Sequence, residues 1–179
     1  ALTDPATRTA ALDALVTAGS RAKPTTDLSR VTGLLDQPQG AHLAGIWRVE
    51  VTKPKLIALA RAAGTNEPLR WGALMGLAAF GDRTVLAEIA GGPQPVGQRR
   101  QAIQALVPLD PTTAAKPAAT LLANPAAEPE TEAIVHAFLS HKNGPASLTA
   151  ALKDQALPPA VATLGLRQAG VVNFLDTPD

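Results

Sequence analysis

The sequence predicts an all-α solenoid of about five helical hairpins plus a half unit, right-handed and gently curved. Three observations carry this expectation. The apolar residues are mainly Ala, Leu, Val and Ile, with 3% aromatic residues and no Tyr in 179 residues. Ala and Leu are the strongest helix formers, and small side chains let helices approach closely. Alanine-anchored segments also recur, with Ala11, Ala44, Ala73, Ala102, Ala133 and Ala162 spaced 33, 29, 29, 31 and 29 residues apart; such a period marks a repeat array. Finally, Pro and Gly fall at the joints between segments, several of them where a helix would start, the place where Pro is tolerated best.

Taken in order, AALDALVTAGS (residues 10–20) opens the series, with Ala11, Leu15 and Gly19 in frame. LAGIWRVEV (43–51) fits less closely, on Ala44. LRWGALMGLAAFGD (69–82) reads at first as a strand, because its odd positions from Leu69 to Leu77 are apolar; yet Leu69, Ala73, Gly76, Leu77 and Phe80 also share one side of a helix. The shared frame of the other segments decides for the helix. QAIQALVPLD (101–110), EAIVHAFLSHK (132–142) and VATLGLRQAG (161–170) complete the first helices. Between them lie second helices at 27–37, 53–64, 83–92, 112–124 and 145–156. The units run 1–38, 39–64, 65–92, 93–125, 126–157 and a partial 158–179, together one repeat domain. Pro108 and Pro117 fall inside predicted helices, where a kink or an early end is expected. Because a solenoid with an exposed apolar end is costly, the half unit predicts that the parent chain continues.

Composition bounds function. The formal net charge is +1, so the strong basic excess of nucleic-acid binders is absent and no nucleic-acid partner is expected. With no Cys there is no disulfide, thiolate zinc site or haem attachment in this chain. No apolar run approaches the ~20 residues that span a bilayer. Gly72-x3-Gly76 mimics a membrane helix-dimer motif, but Arg70 and Asp82 flank it, and close packing between soluble helices explains it better.

The candidates for chemistry are few. His136 and His141 are five residues apart, whereas a zinc pair on one helix face needs three or four; His42 stands alone. The acidic run EPETE (128–132) precedes a helix, where carboxylates complement the positive end of the helix dipole without a metal. No phosphate loop and no nucleophile–base set is present, so no catalytic, cofactor-binding or metal-ligating residue is assigned. The six residues with a claim on an interaction surface are Trp47, Arg48, Arg70, Trp71, Arg99 and Arg100.

The arginine three residues before the anchor, the Ala-x3-Leu core and the closing Gly-Asp resemble HEAT repeats. Here these are Arg70, Ala73, Leu77, Gly81 and Asp82, with Arg8 and Arg99 in the equivalent first position. Ala41, Glu130 and Pro159 depart from the arginine pattern. KPKLIALARAAG, LRWGALMGLAAFGD, GGPQPVGQRRQAIQALVPLDP and LPPAVATLGLRQAG more narrowly resemble the helical segment of large planctomycete-type membrane-bound dehydrogenases. In that family the segment lies between a propeller-like dehydrogenase region and a c-type cytochrome. The resemblance implies a non-catalytic scaffold or interaction segment of an electron-transfer protein that is periplasmic or otherwise exported. Haem c would then be carried by the parent chain and no cofactor by this segment, and the partners would be neighbouring domains or another protein. Two alternatives stand beside it. One is a HEAT-like DNA-repair glycosylase, in which Trp and Arg side chains would hold an extruded base. The other is a free-standing protein-binding module.

Overall fold

The computed structural model describes residues 4–19, 21 and 28–175. Every regular element among them is helical. The chain divides into two compact units, 1–85 and 86–179.

The first unit holds α1 (Pro5–Ala18), a single turn α2 (Ser29–Thr32), α3 (Pro38–Ile46), a 3-10 turn at Glu50–Thr52, α4 (Lys53–Arg61) and α5 (Glu67–Phe80). The helix α6 (Arg83–Gly91) begins in this unit and ends in the next. Local chemistry sets these bounds. Asp4 caps α1 by accepting from the Thr7 N–H at 2.7 Å, and Asn66 caps α5 by accepting from the Leu69 N–H at 2.9 Å; such caps satisfy amides that the first turn leaves without partners. Pro38, Pro54 and Pro68 occupy the first or second position of α3, α4 and α5. Gly81 ends α5 at φ +78°, left-handed backbone that favours glycine. α5 packs chiefly on α3 and also on α4, while α1 packs on α3.

The segment that reads as a strand is therefore helix α5, and its glycines are where it meets α3. A Cβ on Gly72 would lie 2.6 Å from the Pro38 Cα, and one on Gly76 would lie 2.5 Å from the Ala41 carbonyl oxygen. A Cβ on Gly45 of α3 would overlap the Gly76 backbone in turn. The Gly72-x3-Gly76 pair thus serves close packing of two helices, with Ala44 and Ala73 fully buried nearby in sequence.

The second unit holds the rest of α6, then α7 (Val96–Leu106), α8 (Pro111–Leu122), a 3-10 stretch at Pro125–Glu130, α9 (Thr131–Leu139), α10 (Gly144–Leu152) and α11 (Pro159–Leu175). First helices pack on first helices, α7 on α9 and α9 on α11, and α8 packs on α10. Contacts between α7 and α8 and between α9 and α10 close the hairpins. The core comprises Ile103, Leu106, Leu121, Leu122, Ile134 and Phe138, all fully buried. Pro108 lies beyond the end of α7, which stops early at Leu106, whereas α8 runs through Pro117.

Other sequence expectations change as well. The segment 27–37 is one helical turn followed by turns rather than a full helix; its first residue lies outside the described ones. The shared frame also places Leu15 and Leu166 as equivalents of Leu77, which is fully buried; instead Leu15 is 41% and Leu166 75% exposed. The reason is coverage: α5 packs on both α3 and α4, whereas the contacts of α1 are with α3 and α11 lies on α9 and the 3-10 stretch before it.

His42 in α3 is half-buried, and burial lowers its pKa below the ordinary 6.5. The unfolded chain therefore takes up a proton at higher pH than the folded one, and stability rises with pH up to about 6.5 and is level above it. Acidification from pH 7 to 5 is expected to lower the midpoint of denaturant unfolding, and His42→Gln to flatten that part of the pH profile. An unchanged profile in His42→Gln would refute the assignment.

Candidate interaction surface

Of the six side chains with a claim on a surface, four are engaged inside the protein. Trp47, at the C-terminal end of α3, is buried, and its indole N–H donates to the Gly19 carbonyl at 3.1 Å, tying the end of α3 to that of α1. Arg70 is 7% exposed. Its guanidinium donates to the Thr65 carbonyl, and to the Ala62 carbonyl at 3.5 Å, so it closes off the end of α4 from the first turn of α5. Arg99 in α7 does the same for α6, donating from Nε to the Ala90 carbonyl at 2.9 Å. Arg100 pairs with Glu130 at 2.6 Å and donates to the Gln104 Oε1 at 2.6 Å; Gln104 in turn donates to the Ala133 carbonyl at 3.4 Å. Arg48 and Trp71 face solvent, Arg48 from a left-handed backbone position at φ +52°.

Arg70 and Arg99 are therefore helix-end caps, whereas Arg8, which the sequence aligns with them, is exposed. Arg70 reaches back eight residues and Arg99 nine, to carbonyls at the end of the preceding helix, where a helix leaves groups it cannot satisfy by itself. Burial lowers the pKa of both, and for Arg70 the nearby Glu67 carboxylate opposes that shift; an arginine stays charged regardless. Removing Arg70 as Arg70→Met leaves those carbonyls with no side-chain donor. The expected loss is about 1.5–3 kcal/mol, the range for hydrogen bonds made by a charged group, measured by urea unfolding. A loss below about 0.5 kcal/mol, the range of ordinary surface substitutions, would refute the capping role.

The other polar groups are also paired locally. Asp82 accepts from the Val85 N–H at 3.2 Å and from Lys53 at 2.9 Å, which raises the Lys53 pKa. Glu132 pairs with Arg167. Thus two carboxylates of the acidic run EPETE face arginines. His136 bonds with Ser140 Oγ at 3.0 Å and His141 with the Ala137 carbonyl at 2.9 Å, each one turn away. Among the described residues no three His, Asp or Glu side chains gather as a metal site, and no helix is long and apolar enough to cross a membrane.

Sequence reasoning did not single out a pocket of about 290 Å³ within the second unit. Arg99, Lys116, Thr113 and Thr120 line it, with Ala87 and Pro117 as apolar walls. The signal was faint: a single Lys before a Pro in the Ala-rich stretch TTAAKPAATLLAN. No protein-family model, curated protein or solved structure matches the chain.

Proposed function

We propose that the chain is a non-catalytic, HEAT-like helical-repeat scaffold that holds neighbouring domains or a protein partner. The observation that carries this reading is the pair Arg70 and Arg99. They stand at the same place in two first helices and cap the preceding helix end in the same way. The serial packing of first helices on first helices supports it too, because stacked hairpins bury their neighbours in series and leave long faces for partners. In keeping with the resemblance to the helical segment of dehydrogenase–cytochrome proteins, we read this scaffold as part of an exported redox chain whose haem lies elsewhere. The glycosylase alternative gains nothing from the placement of Trp47 and Arg70, whose polar groups bond to the backbone of their own unit.

Small-angle scattering tests the architecture. A compact globule of this length has a radius of gyration of about 16 Å. The repeat reading expects a clearly larger value, and a value at the globular figure would sink it. Retention on duplex DNA at low salt, lost at high salt, would favour the glycosylase instead.

A further inference from the structure

The pocket between the end of α6, the first turns of α7 and the outer face of α8 pairs two cations with no acid. Arg99 is part-buried, with Nε held by the Ala90 carbonyl. Among the described residues neither Arg99 nor Lys116 forms an ion pair, and no carboxylate lines the pocket. A guanidinium drawn out of water without a counter-charge is an incomplete arrangement. The lining hydroxyls do not complete it: Thr113 Oγ1 donates to Asp110 Oδ2 at 2.7 Å and Thr120 Oγ1 to the Lys116 carbonyl at 3.1 Å. Among the lining side chains, the donors left without a partner are therefore the two Nη groups of Arg99 and Lys116 Nζ.

We propose that this pocket takes a carboxylate side chain of an acidic peptide segment, and so names the partner chemistry of the scaffold; the proposal rests on that functional reading. The two Nη groups present an end-on fork matched to one carboxylate. At about 290 Å³ the pocket falls just below the ~300–1,000 Å³ range of small-molecule sites, a size suited to one side chain. Ala87 and Pro117 provide apolar walls for its methylenes. A phosphate dianion fits less well. The pocket includes Gly91 at the C-terminal, negative end of α6, which disfavours two negative charges more than the single charge of a carboxylate.

The test is a titration of the full chain with an acetylated, amidated hexaglutamate peptide at low salt, followed by two-dimensional NMR of the backbone amides. Binding should perturb Ala87, Gly91, Thr113, Lys116 and Thr120 and weaken as salt is added. Lys116→Ala, at an exposed position, should raise Kd about tenfold, and Arg99→Gln should do so at least as strongly while keeping a side-chain donor for Ala90. Circular dichroism checks that both variants are folded, and Lys116→Glu serves as a second exposed variant should Arg99→Gln unfold. Absence of shifts at these amides, unchanged affinity in the Lys116 variants, equal binding of hexaglutamine, or displacement of the peptide by equimolar inorganic phosphate would each overturn the proposal. None of these results alters the scattering outcome, so the scaffold reading fails or stands separately.

Discussion

Gly45→Val is expected to destabilise the first unit by about 3 kcal/mol, the upper end of the usual overpacking penalty. An added Cβ at Gly45 would lie 2.5 Å from the Gly76 carbonyl carbon and closer still to its oxygen and Cα. That neighbour is helix backbone, which cannot swing aside as a side chain can. Accommodation therefore requires α3 and α5 to part, and their contact is the principal one in the unit. Helix propensity acts in the opposite direction, since replacing an interior glycine gains up to about 1 kcal/mol, but this is smaller than the steric term. Gly64→Ala is the control within the same unit, because a Cβ there meets nothing within 4 Å; it should be neutral or slightly stabilising. Both tryptophans, Trp47 and Trp71, lie in the first unit, so intrinsic fluorescence follows its unfolding directly. A Gly45→Val protein that melts with the parent would show that the helices do not meet at their glycines.

Phe138→Ala is expected to cost the second unit about 3–5 kcal/mol, the range for truncating a buried aromatic ring. Phe138 is fully exposed to neighbours and not at all to water, at 0% accessibility. Its backbone is pinned as well, since a Cβ on Gly144 at the start of α10 would fall 2.8 Å from the Phe138 carbonyl carbon. The site is thus poorly placed to collapse around the lost ring, and the cavity term should persist. Phe138→Leu, which keeps most of the volume, should lose less than half as much. Hydrogen exchange over 86–175 reads the effect locally. In a repeat array stability is a sum of unit and neighbour terms, so protection should fall in the second unit while tryptophan fluorescence still reports a folded first unit. Equal loss of both signals at one midpoint would show a single cooperative block instead.

Much of the secondary structure was legible because it rests on local chemistry. Alanine and leucine spacing and the prolines at helix starts act within a few residues, so the chain carries them openly; the Asp4, Asn66 and Asp110 caps are equally local but were not singled out in the sequence. Pro108 beyond the end of α7 follows the same rule. Pro117 does not: α8 continues through it, because packing on α10 and α7 outweighs one missing hydrogen bond. The candidate surface was read less well. A tryptophan or an arginine looks alike in sequence whether it meets solvent or a carbonyl, and only placement shows that Trp47 and Arg70 bond to the backbone while Trp71 and Arg48 face outward.

By itself, then, the sequence determined the helical class, the order of most helices and several of their starts, since propensity and proline geometry are short-range. The tertiary structure alone decided which glycines are contact points, which arginines are caps and which cations lack an acid. Those properties depend on residues brought together across tens of positions. Gly45 meets Gly76, and Arg99 and Lys116 share a pocket, because chain folding sets distances that spacing along the sequence does not encode.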